Sequence, residues 1–62
     1  MKYYFLTVET FEGIKLLEFN QHVRRYLSEE QARKIGKDMK HVVKDVIELD
    51  LDNMSVKNLG KV

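Results

Sequence analysis

Two kinds of hydrophobic spacing divide this chain. Residues 2 to 10, Lys-Tyr-Tyr-Phe-Leu-Thr-Val-Glu-Thr, are rich in aromatic and β-branched types and contain no breaker, which predicts a strand. Gly13 accepts the positive φ of a tight turn, so Glu12-Gly13 is expected to close a hairpin whose second strand runs from Ile14 to Phe19. With Glu12 and Gly13 as a two-residue loop, Phe11 faces Ile14, Val8 faces Leu17 and Leu6 faces Phe19. That register gathers Tyr4, Leu6, Val8, Leu17 and Phe19 on one face, and a slip of one residue would scatter them.

From Ser28 to Ile47 the period lengthens. Ala32, Ile35, Gly36, Met39, Val42, Val43 and Val46 fall on one side at 100° per residue, which predicts one long amphipathic helix seated on the apolar hairpin face. Ser28 is placed to cap it by accepting from the Gln31 amide, with the Gln31 side chain reaching back to the Ser28 amide. Glu29 and Glu30 suit the positive end of the helix dipole. Gly36, inside the apolar stripe, implies close approach of helix and sheet. No Gly or Pro stops the helix. Ile47, Glu48, Leu49, Asp50 and Leu51 alternate, so the helix is expected to end between Lys44 and Ile47. A last strand of about six residues should follow, with Glu48, Asp50 and Asp52 as its outward polar face.

Asn20 to Leu27 fits either period and is read as a short extended segment or extra strand at residues 22–27, after a turn at Asn20-Gln21. Residues 53–62 are too short and mixed to assign and are expected to form a loosely held tail. The fold class is α+β, ββαβ-like: an antiparallel hairpin, one helix packed on it and a returning strand, in a single domain spanning residues 1–62.

Size sharpens this picture, because a domain of 62 residues buries only roughly 60% of the surface its unfolded chain exposes. Disulfides, a structural metal or association usually support so small a core, and without cysteine the first is ruled out. Association is therefore the expected support. The second hairpin face points the same way, since Tyr3, Phe5, Phe11, Ile14 and Leu16 lie on it among Thr7, Glu9 and Glu18. Antiparallel sheets that leave a face in water usually make it polar. A homo-oligomer, most simply a dimer, or a different protein partner is expected there. The plainer reading is that these side chains are scattered or partly covered by the C-terminal segment.

Charge adds a second candidate surface. The net charge of +1 hides seven Lys or Arg against three acids in residues 21 to 44, and two against four in residues 45 to 62. On the predicted helix, Arg33, Lys37, Lys40 and Lys44 form a basic stripe, with Arg24 and Arg25 just before it. Such a surface could follow the phosphates of a nucleic acid or meet an acidic partner. The plainer reading is a solvated helix face with Lys34–Asp38 or His41–Asp45 as local pairs. Asp38, His41 and Asp45 would share one helix side, yet one His and two carboxylates beside Lys34 make a poor metal set, and no metal or other cofactor is expected. Asp50, Asp52 and Asn53 resemble the start of a calcium loop but lack its later ligands. No Ser or Thr stands in a nucleophile-elbow or triad setting, so no catalytic residue is assigned and an enzyme is not expected.

Apolar residues at 44% and charged residues at 34% describe a folded domain, and no run approaches the 18 or so apolar residues of a membrane span. A cytoplasmic location is the default. The expected function is a small binding module acting through protein, with nucleic-acid binding by the basic helix face as the alternative. A chain without Cys, Pro or Trp, and with Lys well ahead of Arg, has the style of an accessory or inhibitory protein of a bacterial mobile element.

Overall fold

A computed structural model describes all residues, 1–62. The elements are β1 (Lys2–Thr10), β2 (Gly13–Leu16), β3 (Glu18–Phe19), β4 (His22–Val23), α1 (Glu29–Asp38), β5 (Val43–Asp50) and β6 (Ser55–Lys61). Four strands form an antiparallel sheet in the order β2-β1-β5-β6, β3 and β4 form a separate two-stranded sheet, and α1 packs on one face of the larger sheet. The α+β class is therefore the one the sequence predicts.

The first hairpin keeps its predicted faces but not its register. Thr7 pairs with Leu16 and Thr10 with Gly13, so the loop is Phe11-Glu12. A two-residue turn at Glu12-Gly13 of the favoured hairpin type would need positive φ at both positions, and only Gly13 has it, at +119°. The shift relative to expectation is two residues, an even number, so Leu6 and Leu17 still meet on the core side, with the Leu17 amide donating to the Leu6 carbonyl at 2.7 Å. Phe19 does not join them. The chain leaves the sheet after Leu17 and folds into the β3–β4 hairpin around Asn20 and Gln21, both at positive φ (52° and 69°), which confirms the turn expected there. The chain returns at Tyr26, whose amide and carbonyl both bond Tyr4 of β1, at 2.8 and 2.9 Å. Within 22–27 only His22–Val23 is strand, followed by this single bridge.

Ser28 caps α1 as expected, its Oγ accepting from the Gln31 amide at 3.1 Å, although Gln31 Oε1 accepts from Leu27 rather than Ser28. The predicted length is wrong. α1 stops at Asp38, and the Val42 and Val43 amides turn back onto the Met39 carbonyl, both at 2.9 Å. The run Val42-Val43 and Val46-Ile47 is β-branched, stiff at χ1 and better suited to a strand, and β5 takes it as an interior strand between β1 and β6. The three-residue spacing of Val43 and Val46, helical on paper, comes from a β-bulge: Leu6 pairs with Val46 and Val8 with Val43, so Lys44 and Asp45 together oppose Thr7. The bulge is pinned by the Asp45 amide donating to Thr7 Oγ1 at 3.0 Å. Both valines thereby reach the core, while Val42 is left exposed.

The expected loose tail is also corrected, because residues 55–61 form β6 on the outer side of β5. Leu59 is the extra residue of a second bulge, which Gly60 permits with φ +94°, and Leu59 turns into the core. Arg33 of α1 locks this end by donating to the carbonyls of Leu59 (3.2 Å) and Lys61 (2.8 Å) while its Nε meets Glu29 at 2.8 Å. The core is Leu6, Leu17, Tyr26, Ala32, Val43 and Val46, flanked by Tyr4, Val8, Ile35, Met39, Leu59 and Val62. Only nine of 62 residues are buried, which keeps the core as thin as the length implies.

Candidate interaction surface

Helix α1 and the core occupy one face of the sheet, and no element of the chain lies over the other. Strand pairing decides which side chains share that open face. Phe5 pairs with Ile47, Tyr3 with Leu49, Leu49 in turn with Val56, Thr7 with Leu16 and Glu9 with Ile14. Tyr3, Phe5, Ile14 and Leu16, expected on the second hairpin face, do stand together there. Tyr3 and Phe5 are half-buried by their neighbours, whereas Ile14 is 67% and Leu16 38% exposed. Phe11 is not on the face, because the register shift moves it into the turn, where it is 99% exposed.

Three apolar residues of this face, Ile47, Leu49 and Val56, escape a reading of the hairpin alone. The alternation from Ile47 to Leu51 holds the signal, but its apolar side faces away from the helix, the reverse of the expected polarity. With Val46 in the core, Ile47 and Leu49 must point away from the helix, while Glu48 pairs with Tyr4 and Asp50 with Lys2 on the helix side of the sheet. Those two carboxylates lie where they can be satisfied. Glu48 accepts from Tyr4 Oη at 3.1 Å, and burial together with this carboxylate pushes the Tyr4 phenol above its usual range. Asp50 accepts from the amides of Asp52 (3.0 Å) and Asn53 (3.3 Å) and from Asn53 Nδ2 (2.9 Å), tying the β5–β6 turn. The Asn53 side-chain bond, helped by the two amides and by Lys2, holds the Asp50 carboxyl below the usual range against the opposing effect of burial.

The basic residues divide differently from expectation. Because α1 ends at Asp38, Lys40 sits in the following turn and Lys44 on β5, so the helical stripe of Arg33, Lys37, Lys40 and Lys44 does not exist as a continuous row. Arg33 is engaged in holding β6. Lys34–Asp38 and His41–Asp45 are not ion pairs; the helix pair is Glu29–Arg33. Asp38, His41 and Asp45 fall on three separate segments, and no group of three or more His, Asp or Glu is placed to hold a metal ion. The concavity along the outer surface of α1, between Glu29, Glu30, Arg33, Lys34, Lys37 and Asp38, has no apolar wall.

The fold brings Arg24 and Arg25 to one rim of the open face, while Lys61 of β6 stands beside Asp45. The Arg25 guanidinium lies 4.5 Å from the centre of the Tyr3 ring, and that of Arg24 lies 5.6 Å from the Phe19 ring. With His22 and Val23 they form one wall of a shallow groove against Phe5. The face thus has aromatic and aliphatic residues at its centre, a basic rim at the β3–β4 hairpin, and carboxylates at Glu9 and Asp45, the latter accepting from Asn58 Nδ2 at 3.2 Å. Such a surface can exclude water and orient a partner by charge. No helix is long and apolar enough to cross a membrane. No family model, curated protein or solved structure matches this chain.

Proposed function

We propose that this chain is a small, non-catalytic binding module that docks protein on the open face of its sheet, as a homo-oligomer or against a different protein. The observation that carries the reading is that all four strands contribute apolar side chains to a face that no helix of the chain packs on: Ile14 and Leu16 from β2 and Val56 from β6, which are exposed, and Tyr3 and Phe5 from β1 with Ile47 and Leu49 from β5, which are half-buried. A sheet face left to water is ordinarily polar, and contiguous apolar patches of this kind mark interaction sites. The arrangement has the anatomy of an interface, with aromatic residues and arginine enriched over other surface types.

Nucleic-acid binding is the second reading, favoured by the placement of Arg24 and Arg25 beside the rings of Phe19 and Tyr3, since single strands are held by basic grooves with aromatic platforms. Glu9 and Asp45 on the same face oppose a phosphate backbone, and the dispersal of the helix stripe removes its main support. A photoreactive phenylalanine analogue placed at Ile47, and separately at Lys37, tests the two in nuclease-treated and untreated lysate. Protein adducts at position 47 that survive nuclease and are missing at position 37 are expected. Adducts confined to position 37, or only nucleic-acid adducts at position 47, would refute the protein-docking reading.

A further inference from the structure

Resting on the protein-docking reading, we infer that the open face is covered by a second copy of this chain, packed sheet to sheet as a two-fold dimer in which Arg25 of each copy meets Glu9 of the other. The charge layout of the face is the argument. Three ion pairs exist in the chain, joining the Met1 amine to Asp52, Lys15 to Glu12 and Arg33 to Glu29, and none involves Glu9, Arg24 or Arg25. Asp45 accepts from Asn58 Nδ2 and stands across from Lys61, whereas Glu9 is the carboxylate of the face with neither an ion pair nor a hydrogen-bond partner.

These unpaired charges lie at opposite ends of β1. Glu9 pairs with Ile14 near the hairpin tip, whereas the Tyr4–Tyr26 bridge sets Arg25 beside Phe5 and over Tyr3 at the other end. A two-fold axis between the sheets and perpendicular to the strands reverses strand direction across the interface. It lays the Tyr3 end of one β1 over the Glu9 end of its partner, and every contact occurs twice. The surface is thus self-complementary, a property that a different partner would not require.

The thin core supplies the second argument, because pairing sheets turns a helix-on-sheet layer into four layers around a new apolar centre. Strands of nine, four, eight and seven residues, about 4.8 Å apart and rising about 3.3 Å per residue, present roughly 440 Å² per copy in projection before side-chain relief, about 900 Å² in total, which places the dimer among weak, transient interfaces. A weak, concentration-dependent dimer is expected.

Sedimentation of the purified chain from about 1 to 500 μM, with Arg25→Glu, Glu9→Arg and an equimolar mixture of the two, tests this. Both substitutions lie at exposed positions outside the core, and circular dichroism checks that each variant keeps the fold. The wild type should dimerise, each single variant should dissociate at least tenfold more readily, and the mixture should recover dimers, because one chain of each kind restores both opposite-charge contacts. Failure of the mixture to exceed its components, or singles that dimerise as well as wild type, would overturn the arrangement. A wild type that stays monomeric at 500 μM would overturn the second copy. If position 47 still captured a different protein, the docking reading would survive; with no protein adduct, both would fall. A monomer whose Tyr3 and Phe5 signals shift with single-stranded RNA would also overturn it, in favour of nucleic acid.

Discussion

Replacing Gly36 by alanine sets two opposed effects against each other, and the structure decides which prevails. In an exposed helix interior the change gains about 0.8–1.0 kcal/mol from propensity alone. Here a Cβ at position 36 would stand 2.6 Å from Val62 Cγ1, 3.1 Å from Val62 Cβ and 3.4 Å from Leu6 Cδ2. Carbon pairs settle at about 3.5–4.0 Å, so Val62 must retreat by roughly 1 Å. That retreat forfeits part of the packing of a half-buried valine, about 1 kcal/mol of the ~1.5–3 available on full burial. It also strains the bond from the Val62 amide to the Lys44 carbonyl (3.1 Å), which contributes about 1 kcal/mol. The loss exceeds the gain, and Gly36→Ala should destabilise by about 1 kcal/mol.

A second background isolates the cause. In Val62→Gly both close contacts are gone, only the ordinary Leu6 contact remains, and Gly36→Ala should now stabilise by about 1 kcal/mol. Urea midpoints followed by circular dichroism at one fixed protein concentration would give both differences and a coupling of about 2 kcal/mol. If Gly36→Ala stabilises both backgrounds equally, Val62 does not pack against α1 and the docking of the chain end after β6 is refuted.

Other consequences follow from the same contacts. Leu6→Ala should cost about 2–5 kcal/mol and Lys37→Ala should fall within ±0.5 kcal/mol, because Leu6 is fully buried and Lys37 is exposed; equal shifts in denaturant midpoint would mean the faces are misassigned. Arg33→Met removes the donors to Leu59 and Lys61, so amide exchange of residues 59–62 should quicken while β1 and β5 keep their protection; unchanged exchange would show that the guanidinium does not hold β6. Asp50 has a lowered folded-state pKa, so its stabilisation is complete above the ordinary value of 3.8 and is lost as pH falls through the lower folded value; Asp50→Asn should flatten that acid limb of the stability profile, and an unaltered limb would contradict the turn assignment. Mobility-shift measurements with single- and double-stranded DNA and RNA at about 150 mM salt should show no complex tighter than about 1 μM; a complex abolished by Lys37, Lys40 and Lys44 to Ala together would move the functional surface to the end of α1 and the turn into β5.

Local chemistry made several features legible from the sequence. The first strand is read from a breaker-free aromatic and β-branched run, the cap at Ser28 from the spacing to Gln31, and the turn at Asn20-Gln21 from residue type, because each depends on neighbours within about four positions. The sides of the paired hairpin residues are legible for a related reason, since alternation survives the two-residue shift in register, whereas Phe11 and Phe19 leave their expected faces for the turn and the β3–β4 hairpin. The tertiary structure decided the rest. Val43 and Val46 carry a helical spacing that only a bulge opposite Thr7 converts into a strand, and that bulge exists because β1 is there to pair with it. Residues 55–61 lack a strong pattern of their own and become a strand by hydrogen bonding to β5 and by the grip of Arg33. Once β5 is interior and Val46 points inward, Ile47 and Leu49 are turned outward, and the open face widens from a hairpin to four strands. Arg24 and Arg25 reach its rim only because Tyr26 returns to Tyr4 after the β3–β4 excursion. Periodicity records which residues share a side, but which side meets the core is set by partners far along the chain.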